Sequence, residues 1–194
     1  MDDCPSLPGG APSAVAGFLE ALKPDLYLPS LLDLDPAWLV RRGVKALISD
    51  LDNTMAAWKN GYPDSACVSF FDRVKAKGIA CCILSNAPAW RVRKAAEILD
   101  IPGVPNAGKP RRAAFHRALQ VLGTTARETC VVGDQIFTDV WGAKRSGLMT
   151  VLVVPFGTRE FIWTKLVRHV ERAVLRGLAE RGLLETLSSQ GGRG

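Results

Sequence analysis

Val44–Thr54 reads VKALISDLDNT, and this stretch decides the fold. Six residues with almost no polar break, VKALIS (44–49), mark a strand buried on both faces, and the run stops at two aspartates, Asp50 and Asp52, one leucine apart. The pattern returns in IACCIL (79–84), TCVVG (129–133) and MTVLVV (149–154). Between these runs lie stretches with helical spacing of apolar residues: DSACVSFFDRVKAKG (64–78), APAWRVRKAAEILD (87–100), RRAAFHRALQVLG (111–123) and FTDVWGAKRSG (137–147). Asp64 is placed to cap the first of these helices and Gly78 to end it. Buried strands alternating with helices predict an α/β fold, a doubly wound parallel sheet covered on both faces. Upstream, AVAGFLEAL and LYLPSLLDL read as short amphipathic pieces broken by Pro24 and Pro29.

The chain has 194 residues, enough for one domain with a substantial core. No apolar run reaches the roughly 18 residues of a membrane span. The acidic start, MDDCPSLPGGAPSAVAG, lacks the basic residues of a targeting segment. Five cysteines without CxxC spacing, three of them inside strand-like runs, read as core residues in a reducing compartment, so a cytoplasmic location is expected. With two histidines, a zinc site is not expected. Charge is uneven: residues 1–39 carry a net −5 and the rest +11, within an overall +6. A basic body favours an anionic partner, whether phosphate, nucleic acid or lipid surface.

In open parallel sheets, ligands bind beyond the carboxyl ends of the strands. Asp50 and Asp52, Ser85 and Asn86, Lys109, and Asp134 with Asp139 all fall there. Carboxylates converging on one crevice are stable together around a cation, and hard oxygen ligands suit Mg²⁺. A serine hydroxyl and a lysine add groups that bind phosphate oxygens. Capping alone is a poor account of two acids plus Asp134 beside a buried core, because unpaired burial costs several kcal/mol. Taken singly, Lys109 reads as a loop lysine, Ser85 as a turn residue and Asp139 as a helix-turn acid. Trp58 and Trp90, which follow the site loops, fit either the mouth of the site or ordinary packing.

The ordered set DLDNT, LSNA, GKP and VVGDQIFTD resembles the four motifs of the haloacid dehalogenase (HAD) superfamily, over about residues 44–155. At finer grain, SNA…RV, GDQIFTDVWGAKRSG, TVLVVP and the arm REFIWTKLVRHVERAVL are similar to the YqeG-like HAD-IIIA phosphatases, which are related to phosphatidylglycerophosphate phosphatases. That resemblance implies a nucleophile at Asp50 and a general acid–base at Asp52. It implies Mg²⁺ held by the Asp50 and Asp134 carboxylates and the Asp52 carbonyl, with Asp139 acting through water. It also implies phosphate binding by Ser85, Asn86 and Lys109, while Asn53 and Thr54 brace the loop. A receiver-type signalling module, the alternative of a different class, places its acids in another order; a non-catalytic phosphate-binding module would not need the full polar set found here.

The gaps Asp52–Ser85 and Ser85–Lys109 leave no room for a cap domain, which suits a large or membrane-presented phosphorylated substrate. On a helix over 162–178, Lys165, Arg168, Arg172 and Arg176 form a basic stripe beside Ile162, Leu166, Val170, Ala173 and Val174. Two arrangements fit that layout: an interfacial helix on an anionic membrane, or a helix packed on the domain with a solvated basic face. The reading is therefore an acidic segment (1–39), a phosphatase core (40–155) and a basic helical arm (156–194). The expected substrate is a phosphomonoester, with phosphatidylglycerophosphate foremost and peripheral contact at the inner face of the membrane. A soluble metabolite, nucleic acid or protein phosphate is the alternative, and nothing singles out nucleic acid.

Overall fold

The structure, a computed structural model, describes residues 20–55, 63–155, 174–179 and 182. In chain order the elements are β1 (Leu26–Leu28), α1 (Pro36–Arg41), β2 (Ala46–Ser49), α2 (Ser65–Lys75), β3 (Ala80–Leu84), α3 (Ala89–Leu99) and β4 (Gly103–Val104). Then follow α4 (Arg112–Leu122), β5 (Thr129–Gly133), a π-helical turn (Ile136–Val140) running into α5 (Trp141–Lys144), and β6 (Met149–Val153). The sheet order is β1-β6-β5-β2-β3-β4, with every neighbouring pair parallel. This is the doubly wound, Rossmann-like arrangement that the alternation of apolar runs and helices predicts.

Alternate strand residues feed opposite faces. Leu47, Cys81, Ile83, Cys130 and Val132 join a core with Phe70, Phe71, Val92 and Leu99 from α2 and α3. Ile48, Cys82, Leu84 and Val131 pack instead against Ala114, Phe115 and Ala118 of α4 and Ala143 of α5. Both faces are dry, so the central strands read as unbroken apolar runs. At the start of α2 the Asp64 carboxylate accepts from Cys67 N at 2.9 Å, and Gly78 takes the left-handed φ of +74° just past the helix.

Two elements differ from the sequence expectation. Leu26–Leu28, expected within a short amphipathic piece, forms an edge strand on β6, with Leu26 and Leu28 buried in the core. Three residues are too few to display a period of two. The stretch expected as one helix over 137–147 starts as a π-helical turn and reaches α geometry only at Trp141. Much of the 162–178 stripe lies outside the described residues. In the helical turn 174–179, Leu178 is fully buried, Val174 and Leu175 pack against Leu22, Ile136, Val140 and Leu152, and Arg176 is exposed. No helix among the described residues is long and apolar enough to cross a membrane.

Candidate active site

The chain leaves β2 towards β3 and β4, then returns to place β5 on the other side of β2. Strand order reverses there, which opens a crevice at the carboxyl ends of β2 and β5. Asp50 follows β2, with its N–H donating to Val132 O at 2.9 Å, and Asp134 follows β5. Asn53 holds a left-handed φ of 61°, a conformation asparagine tolerates, and turns the chain so that Thr54 folds back. The Thr54 hydroxyl lies 3.4 Å from both Asp50 Oδ2 and Asp134 Oδ1, a long brace across the two loops.

Lys109 enters from the loop between β4 and α4. Its ammonium donates to Asp50 Oδ1 and Asp139 Oδ1, each at 2.6 Å, and all three side chains are at most 7 % exposed. The second Asp139 oxygen accepts from Gln135 N at 3.2 Å, inside the π-helical turn. The Asn86 side chain clasps the Lys109 peptide: Oδ1 accepts from Lys109 N at 2.8 Å and Nδ2 donates to Lys109 O at 3.3 Å. Ser85 is buried beside it, its hydroxyl accepting from Ala87 N at 3.1 Å. Asp52 lies outside the buried cluster, with its Oδ1 2.6 Å from the Arg91 guanidinium of α3.

Oxygens of Asp50, Asp134 and Asp139 come within 4.8 Å of one another. With all three ionised, Lys109 offsets one of three negative charges. Burial works against the Lys109 ammonium, yet the Asp139 and Asp50 carboxylates outweigh it and hold the lysine above its usual range. Burial pushes the Asp139 carboxyl upward against the opposing pull of Lys109. Asp52 is also raised, by burial first and by the Asp50 charge second, with Arg91 and Lys109 opposing. The surplus of negative charge and the hard oxygen donors match a divalent cation, and the residues present fit one.

A family model described as HAD-hydrolase-like matches residues 106–156, from the Lys109 loop through β6. The Bacillus subtilis (strain 168) protein described as probable phosphatase YqeG is 35% identical over 162 residues, 84% of this chain and 94% of that protein. The chain belongs to the YqeG-like phosphatases of the HAD superfamily. The Arabidopsis thaliana phosphatidylglycerophosphate phosphatase 1 (chloroplastic/mitochondrial) is 28% identical over 82% of this chain, but the match spans only 49% of that enzyme. A solved structure of an uncharacterised Corynebacterium glutamicum protein matches with a TM-score of 0.48 at 23% identity, covering 73% of this chain and 97% of that one.

In this HAD phosphatase the crevice gathers Asp50, Asp134, Asp139 and Lys109 into direct contact or near contact, with Thr54 bridging. Asn86 touches Lys109 through the backbone alone, and Ser85 bonds within its own turn. Arg91 lies inside the SNA…RV match, but sequence reasoning gives it no role. It sits among Arg93 and Lys94 in the same basic stretch, and only the position of Asp52 distinguishes it.

Proposed function

We propose that this HAD phosphatase is a Mg²⁺-dependent phosphomonoester hydrolase that works through an aspartyl-phosphate on Asp50. The observation that carries the reading is the Lys109 ammonium held 2.6 Å from both Asp50 and Asp139, in a carboxylate cluster whose negative charge exceeds it. A buried carboxylate with a fixed cation beside it is a positioned nucleophile, and Lys109 stays in place to meet the phosphoryl oxygens.

In this scheme an Asp50 oxygen attacks phosphorus as the bond to the leaving oxygen breaks. Asp52, protonated, gives its proton to that oxygen, and the alcohol departs. Asp52 as carboxylate then takes a proton from a water that attacks the aspartyl-phosphate. Inorganic phosphate leaves and the Asp50 carboxylate is restored. Ser85 donates to a phosphoryl oxygen, and Asn86 holds Lys109 in register. As the resemblance implies, the ion would be held by the Asp50 and Asp134 carboxylates and the Asp52 carbonyl, with Asp139, whose oxygens meet Lys109 and Gln135 N, acting through water. The bound ion supplies charge neutralisation on the transferring phosphoryl group.

For substrate we propose a phosphate presented by something large, a lipid phosphomonoester at the inner face of the membrane, with phosphatidylglycerophosphate the compound to test first. Among the described residues the connections around the crevice carry no inserted cap, Trp90 stands 68% exposed beside Arg91, and the Arabidopsis relative bears that activity in its name. Residues 40–155 carry every group in the scheme, flanked by 1–39 and 156–194.

The test is a phosphatase assay with Mg²⁺ across lipid phosphates in vesicles and soluble nucleotide, sugar and aryl phosphates. Asp50→Asn should abolish turnover of every substrate while leaving the melting temperature unchanged or raised, since one crowded charge is removed. Near-normal turnover by that variant would overturn the mechanism. Efficient hydrolysis of soluble phosphates with none of phosphatidylglycerophosphate would overturn the lipid reading and leave the phosphatase.

A further inference from the structure

We infer that Arg91 is a positioning residue for Asp52: it fixes the side chain that delivers the proton to the leaving group. The inference rests on the acid–base role proposed above and adds a residue to it. Asp52 follows the buried cluster on a turn and is 35 % exposed, so its side chain is free to sample rotamers unless something holds it. Among the described residues, its one ion-pair partner is Arg91, which meets Oδ1 at 2.6 Å. A proton-transferring carboxyl needs one oxygen anchored and the other available. With the guanidinium 2.6 Å from Oδ1, Oδ2 is the oxygen left to carry and deliver the proton.

The anchor itself is rigidly placed. Arg91 lies in the first turn of α3, where Val92, Ala95 and Leu99 are buried in the core. Gly103 of β4 lets that turn approach closely: a Cβ there would lie 2.6 Å from Val92 Cγ1. The helix that carries Arg91 is thus docked on the strand next to β3, whose end supplies Ser85, so the acid and the phosphate-binding loop share one frame. Arg93 and Lys94 in the same helix are exposed, and Lys94 pairs with Glu97.

The experiment compares kcat/KM for phenyl phosphate and p-nitrophenyl phosphate with Mg²⁺, because kcat/KM reports the steps up to phosphoryl transfer. Phenol is the poorer leaving group and depends more on protonation. General acid catalysis contributes roughly 10²–10⁴-fold, so Arg91→Ala should raise the ratio of p-nitrophenyl to phenyl activity by about tenfold, and Asp52→Asn by more. Arg91→Lys should return the ratio part of the way. A role confined to fold stability, or to binding the phosphate itself, would lower both substrates equally and leave the ratio where it was. That result, alongside a selective loss in Asp52→Asn, overturns the inference and spares the acid–base scheme. An unchanged ratio in Asp52→Asn overturns both. Should Arg91→Ala fail to fold, Arg91→Lys carries the same comparison, with a smaller rise expected and an equal loss on both substrates decisive against it.

Discussion

Gly133 ends β5 directly before Asp134, and a Cβ there would lie 2.3 Å from Asp139 Cγ. Only a bare backbone lets the Asp139 carboxylate lie against the strand and reach Lys109 at 2.6 Å. Gly133→Ala should therefore displace Asp139 and remove one of two anchors of the lysine. Overpacking of this kind costs about 1–3 kcal/mol, to be read from chemical denaturation, and kcat/KM should fall with it. Wild-type stability together with wild-type turnover would show that Asp139 is not held as described. At this scale the sequence displays residue types and their order, which is enough to single out Asp50, Asp52, Lys109 and Asp134. It does not display partnerships. That Asn86 spends its side chain on the Lys109 peptide, or that Asp52 meets Arg91 and not another of the nearby cations, depends on loop geometry that spacing cannot encode.

The long elements were legible because both signals agree in them: apolar runs for β2, β3, β5 and β6, helical periodicity for α2, α3 and α4. β1 was not, since Leu26–Leu28 is too short for a pattern and owes its place to tertiary contacts. Asp25 supplies much of that anchorage. Its Oδ2 accepts from Thr150 N and from Thr150 Oγ1, each at 2.8 Å, and Lys144 donates to Oδ1 at 3.3 Å. Thr150 is 1 % exposed, so Asp25→Ala strands a buried donor as well as removing charge-assisted bonds. The expected cost is about 2–3 kcal/mol, with amide exchange of Tyr27 and Leu28 accelerated more than that of β2. Uniform exchange across the sheet would mean that β1 is held by its apolar contacts alone.

At the scale of the molecule, the four cysteines among the described residues distribute one physical property over both faces of the sheet. Burial pushes the Cys67, Cys81 and Cys82 thiols up to about 12, and Cys130 is raised further by burial. Cys67, Cys81 and Cys130 belong to the core beneath α2 and α3, and Cys82 to the core beneath α4. An unfolded thiol ionises near pH 8.5, below its folded value, so the folded state binds more protons as the medium turns alkaline. This contribution is fully present below about pH 8.5 and is lost as pH climbs towards the folded values. Each thiol removes about 1.4 kcal/mol of stability per pH unit once its unfolded form is ionised, so four together remove on the order of 8 kcal/mol by pH 10. That is the size of a domain's whole net stability. The urea midpoint should accordingly fall steeply between pH 8 and pH 10 under reducing conditions. Cys82→Ala should start less stable at pH 7, from lost packing, yet fall less steeply, by about one proton of the four. A variant that retains the full slope would show that the Cys82 thiol ionises as readily in the folded protein as in the unfolded chain, which a fully buried position between β2 and β4 should not permit.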